Sequence, residues 1–228
     1  MHAEPSTSSP GPDCVIVPVL QPRTPAWEAA ESLLGRDDRA RFAAYNPTRR
    51  AQFLTARTEL RRLGARQLAV RATEIEITAR CPHCHSTEHG RPTVTASGRG
   101  LHSSIAHAGN YVLAAVSPDR PLGADLERCD GVGFDGFDET ALAPTERSQV
   151  AEIVPGPRGW LEARFWTAKE AALKVTGAGL TVDPRSVVVD HPAASITVAT
   201  HRPLREKART YGVTFLTAPD GYVACVAM

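Results

Sequence analysis

The sequence predicts an α+β fold, on three observations. A helical apolar spacing follows Asn46, and a more regular one runs from Arg158 to Val175. Short strand-like segments surround each of them, so each half offers one long helix and several strands. With 228 residues, 42% hydrophobic and 22% charged, the chain suits one large domain or two small ones with a real core.

In chain order, residues 1–13 are rich in Pro and Ser and are expected to be a disordered leader without the apolar segment of a signal peptide. Cys14 to Leu20 reads as the first strand. Asn46 is the expected N-cap of the first long helix, with Pro47 at its first helical position. Phe53, Leu60, Leu63 and Leu68 give its apolar spacing, and Arg49, Arg50, Arg57, Arg61, Arg62 and Arg66 decorate it; on their own these arginines read as a solvated face. Glu74 to Thr78, Ser103 to Ile105, Tyr111 to Val116 and Leu122 to Glu127 are strand-like. In the helix from Arg158, the residues Leu161, Phe165, Ala168, Ala172 and Val175 form a regular stripe, and Gly177 and Gly179 end it. Strands then recur at Ser186 to Val189, Ser195 to Val198, Val213 to Leu216 and Tyr222 to Val226. The segment Ser117 to Pro121 divides an N-terminal half, 14–119, from a C-terminal half, 120–228, and no internal sequence repeat is evident.

The balance of charge narrows the function classes. Twenty-six basic and 25 acidic side chains leave a net charge of +1, which argues against nucleic-acid or acidic-membrane binding. Apolar runs such as Tyr111 to Val116 are too short to span a bilayer. Five scattered cysteines do not form a secreted disulfide framework, so a cytoplasmic protein is expected. Only three of the basic residues are lysines, and two of them, Lys169 and Lys174, lie five positions apart.

Four motifs bear on chemistry. Gly131 to Gly136 matches G-x-G-x-x-G but follows no apolar strand end, so it reads as a flexible loop rather than a dinucleotide site. Cys81, Cys84, His85 and His89 are competent zinc ligands, yet their crowding within one short segment favours an ordinary turn. Asp125 and Glu127 are i and i+2, so on a strand both carboxylates share a face while Leu122, Ala124 and Leu126 take the other. Alone, that pair reads as a solvated strand face; Mg²⁺ sites nonetheless need only a few such carboxylates. Glu170 and Lys174 are i and i+4 on the second helix, opposite the apolar stripe and beside Trp166 and Leu173; alone they read as a surface ion pair.

The conjunction is more specific than its parts. Gly123-Ala-Asp125-Leu-Glu127, then Trp166-Thr-Ala-Lys169-Glu170-Ala-Ala-Leu-Lys174, resembles the paired signature of the 4′-phosphopantetheinyl transferases. Gly90-Arg91-Pro92, Ser104-Ile-Ala-His107-Ala, the basic stretch Arg49 to Arg57, and Pro219-Asp-Gly-Tyr-Val-Ala are similar to further motifs of its larger, single-chain Sfp-like class. Ala106 and Ala108 stand where that class usually has serines. The resemblance implies two similar halves related by a pseudo-two-fold, with coenzyme A in the cleft between them. It also implies transfer of the 4′-phosphopantetheine arm to a serine of an acyl or peptidyl carrier protein, with release of adenosine 3′,5′-bisphosphate. Mg²⁺ would be held by Asp125, Glu127 and Glu170, and Lys169 and Lys174 would add positive charge at the diphosphate. Arg49, Arg57, Arg91 and His107 would grip the nucleotide phosphates, and Asp125 would also face the cofactor. Glu170 or a metal-bound water would take the serine proton, with Lys174 as a further catalytic group. A monomer is expected on the same ground. The competing readings are another Mg²⁺-dependent phosphoryl or nucleotidyl transferase and a non-enzymatic zinc-knuckle adaptor.

Overall fold

The computed structural model describes residues 11–80, 86, 90–152, 158–177, 182–201 and 207–228. Cys81, Cys84, His85 and His89, read as an ordinary turn rather than a zinc site, and most of the leader lie outside the described residues.

Two five-stranded antiparallel sheets are each backed by one long helix. The first holds β1 (Asp13–Pro18), β2 (Glu76–Arg80), β3 (Arg91–Ala96), β4 (Arg99–Ala108) and β5 (Tyr111–Ser117) in the order β1-β5-β4-β3-β2. The second holds β6 (Gly123–Arg128), β7 (Val187–Asp190), β8 (Ile196–His201), β9 (Arg209–Leu216) and β10 (Tyr222–Ala227) in the order β6-β10-β9-β8-β7. In both sheets the first strand pairs with the last and the others follow in reverse, so the halves are similar, as expected. Short helices α1 (Pro25–Ser32) and α2 (Arg36–Ala44) precede the long α3 (Pro47–Leu68). Helices α4 (Phe137–Ala141) and α5 (Pro144–Ala151) precede α6 (Arg158–Thr176).

Local signals explain both long helices. Asn46 caps α3 by accepting the Arg49 amide at 2.9 Å, with Pro47 in the first turn. Leu60, Leu63 and Leu68 then bury against Ile75, just before β2, and against Val94, Leu101, Ala114 and Val116 of the first sheet. The predicted stripe of α6 lies in the core of the second half, where Leu161, Phe165, Ala168 and Ala172 meet Val187, Val189, Val213 and Ala227. Gly177, at φ 76°, supplies the left-handed turn that ends α6.

A third core joins the halves. Ala106, Leu113 and Ala115 of the first sheet pack on Leu122, Ala124, Leu126, Ala224 and Val226 of the second. Tyr111 and Tyr222, which open the corresponding strands β5 and β10, meet edge-on with ring centroids 5.0 Å apart. The Ser104 hydroxyl accepts the Ala124 amide at 2.9 Å, so β4 of one half satisfies a backbone donor of β6 in the other.

Candidate active site

Strand alternation sorts β6 as expected. Leu122, Ala124 and Leu126 enter the core between the halves, while Asp125 and Glu127 take the face that packs on α6. That packing is tight at Gly123, where a Cβ would overlap the Ala171 carbonyl oxygen; only glycine lets strand and helix approach so closely. One helical turn on, the Lys174 ammonium donates to Asp125 Oδ1 at 2.6 Å and to the Ala124 carbonyl at 3.2 Å, and lies 3.9 Å from Glu170 Oε2. Residues 43 positions apart in the chain, Glu127 and Glu170, thereby enter one electrostatic cluster.

The cluster is unbalanced. Asp125 is 3% exposed, and its Oδ2 is buried without a partner. Burial raises the Asp125 carboxyl against the opposing pull of Lys174. Burial, then repulsion from Asp125 and Glu170, lifts Glu127 to about 7, with Lys174 and a hydrogen bond from the Trp166 indole acting the other way. Glu170 is raised by burial and by Asp125. Burial would lower Lys174, but Asp125, Glu170 and Glu127 outweigh it and keep the ammonium charged. Three mutually repelling carboxylates against one lysine, with an orphaned buried oxygen, fit a divalent cation in charge and in donor type. With Lys174 drawn onto Asp125, no three His, Cys, Asp or Glu side chains among the described residues already form a cage.

In the N-terminal half, His107 on β4 bonds through Nε2 to Arg49 Nη1, and Arg49 stands 5.4 Å from the centre of the Tyr45 ring. Since a guanidinium can only donate, Nε2 is the acceptor and its proton is elsewhere. Burial, Arg49 and Lys174 all lower the His107 pKa, so the ring is neutral near pH 7 and within electrostatic reach of the carboxylate cluster.

Three expected phosphate ligands are engaged elsewhere. Lys169 is fully buried; its ammonium donates to Glu146 Oε2 at 2.6 Å and to the carbonyls of Ala141 and Pro184. Glu146 in turn accepts the Ala143 and Val189 amides, so the pair ties α5 and β7 to α6. Lys169, expected at the diphosphate, is in this structure an internal tie. It lies about 100° around the helix from Glu170, on the side of the core. Arg57 is 4% exposed, pairs with Asp38 of α2 at 3.1 Å and stacks 4.9 Å from the Phe53 ring centre. Arg91 spends its guanidinium on main-chain carbonyls of the second half. Glu146, the partner of Lys169, lies outside the motifs; Trp166 and Ser104 lie within them, but their roles as donor to Glu127 and as bridge to β6 were not marked. None of these contacts has a local sequence signal, because each partner lies 20 or more residues away.

Residues 121–227 match the model of the 4′-phosphopantetheinyl transferase superfamily. The chain is 31% identical over 188 residues to a Synechocystis protein, slr0495, whose name describes it as a 4′-phosphopantetheinyl transferase. That match covers 81% of this chain and 72% of the relative. It is 26% identical to the 4′-phosphopantetheinyl transferase HetI of Nostoc, covering 72% of this chain and 68% of the relative. A Bacillus subtilis 4′-phosphopantetheinyl transferase is 25% identical over 138 residues, or 60% of this chain and 53% of that protein.

Proposed function

The chain belongs to the 4′-phosphopantetheinyl transferase superfamily, and from that premise we propose that it transfers the phosphopantetheine arm of coenzyme A to a serine of an acyl or peptidyl carrier protein. Adenosine 3′,5′-bisphosphate is the second product. The observation that most supports this is the convergence of Asp125, Glu127 and Glu170 around Lys174, with Asp125 Oδ2 left unpartnered.

Asp125, Glu127 and Glu170 would hold Mg²⁺, which when bound supplies charge neutralisation at the diphosphate. Lys174 adds a fixed positive charge at the same place, 2.6 Å from Asp125. Glu170 is part-buried and less crowded by charge than Glu127; it accepts the serine proton as the oxygen attacks phosphorus. Neutral His107, held by Arg49, presents a polar pair to the nucleotide end of coenzyme A. The protein acts as a cytoplasmic monomer of the Sfp-like class.

The test is the mass of a carrier protein after incubation with the protein, coenzyme A and Mg²⁺. A gain of one phosphopantetheine arm supports the reading. No gain on any of a panel of acyl and peptidyl carriers, with coenzyme A shown to be intact, overturns it.

A further inference from the structure

We propose that Arg91 is a positioning residue: from the N-terminal half, it clamps the end of α6 to the start of β6 and so fixes Lys174 against Asp125. The clamp rests on the reaction proposed above only for its effect on rate.

Arg91 opens β3, in the sheet of the first half. Its side chain crosses to the second half and donates through Nη2 to the Leu122 carbonyl and, at 2.6 Å, to the Lys174 carbonyl. Nη1 donates to the Val175 carbonyl at 3.4 Å. Two of these acceptors belong to the last turn of α6, where carbonyls lack intrahelical donors and the helix dipole is negative. The third immediately precedes Gly123, the point of closest approach between β6 and α6. Among the described residues no carboxylate pairs with Arg91.

The comparison with α3 sharpens the point. That helix is closed from within its own half: Arg99 donates to the Leu68 carbonyl, and the Ala69 and Val70 amides bond back to the Arg66 and Ala65 carbonyls. Among the described residues, the internal closures at α6 include Gly177 N to Lys174 O and the Thr176 hydroxyl to Leu173 O. The Arg91 guanidinium adds its bonds to the Lys174 and Val175 carbonyls from the other half. Leu122 lies three residues before Asp125, and the Lys174 carbonyl belongs to the residue whose ammonium holds Asp125. Movement of this junction therefore changes the geometry of the catalytic pair directly.

A planar guanidinium can span three carbonyls, whereas an ammonium is a compact point charge that would still serve a phosphate. Arg91→Lys thus separates the clamp from a phosphate grip. In the full chain, both Arg91→Lys and Arg91→Ala should lower kcat for carrier modification by about 10–100-fold, as expected for a small misplacement of reacting groups. The Kd for coenzyme A, by calorimetry, should stay within about threefold of the parent value. Hydrogen exchange should quicken locally in segments 122–128 and 170–177, beyond any change shared with 47–68. Arg91→Lys with parental kcat and exchange overturns the proposal. So does Arg91→Ala whose whole loss lies in coenzyme A affinity. If the alanine variant does not fold, the lysine variant carries the test alone. Should the parent modify no carrier, the proposed reaction fails, while the exchange comparison still decides for or against the clamp.

Discussion

Glu127 is a carboxylate held near neutrality by burial and by two like charges, and in the proposed Mg²⁺ site this would couple metal to proton. Its folded pKa of about 7 lies above the ordinary 4.5, so below pH 7 it keeps its proton in the metal-free protein. That contribution to stability is full below the unfolded pKa and is lost as pH rises through about 7. A divalent cation requires the ionised form. Mg²⁺ binding should therefore release protons below pH 7, with affinity rising up to that pH and flattening above it. Calorimetry in buffers of different ionisation enthalpy measures this; a binding heat independent of buffer near pH 6 would contradict it. Asp125→Ala removes an anionic group and the partner of Lys174, and transfer should fall by about 10²–10³-fold, as when a preorganised electrostatic group is deleted. Glu170→Gln should be as severe. Both are read as carrier modification rate against Mg²⁺ concentration, and parental rates in either would remove that residue from the site. Arg57 belongs to a different class, because its side chain is buried on Asp38. Arg57→Ala leaves that carboxylate unpaired and should cost about 3–5 kcal/mol of stability. A denaturant midpoint unchanged from the parent, together with weaker coenzyme A binding, would return Arg57 to the phosphate grip.

At the scale of elements, the ends of the helices show what sequence can and cannot announce. Helix α3 begins on a cap and a proline that are both visible in the sequence, but it ends on Ala69 at φ 55°, a left-handed position with a Cβ. Ala69→Gly should raise stability by about 0.5–1 kcal/mol, or Tm by about 2–4 °C for each kcal/mol in a chain of this size. A fall in Tm would show that the lost methyl contact outweighs the strain. The stripe of α6 and the alternation of β6 were legible because period and pleat are local properties. Helices α1 and α2 were not. Arg36–Ala44 has little apolar periodicity, and its place is set by Asp38 on Arg57 and by Arg50 donating to the Phe42 and Ala43 carbonyls. Strand β3 was hidden because Arg91-Pro92 resembles a turn; pairing with β2 and β4 on its two sides makes it a strand. The contacts of Lys169 were hidden for a related reason. Its motif gives the residue, but only the fold brings Glu146 to it.

In the whole molecule, the two sheets are arranged so that neither half has a complete core. Leu113 and Ala115 of β5, together with Ala106 of β4, close one side of a cluster whose other side is Leu122, Ala124, Leu126, Ala224 and Val226. Tyr111 against Tyr222, and Ser104 against the Ala124 amide, add directional contacts across the same boundary. The strand that carries Asp125 and Glu127 is thus pinned by the N-terminal half on one face and by α6 on the other. Unfolding should accordingly be a single event for both halves. Leu113, fully buried at the centre of this shared cluster, makes the test direct. Leu113→Ala should cost about 2–5 kcal/mol. The loss should appear equally in α3, which Leu113 does not serve, and in α6, which lies in the other half. Native-state hydrogen exchange read separately over 47–68 and 158–176 measures both. If only the first segment lost protection, the halves would be independent domains, and the cleft between them would be free to open without unfolding.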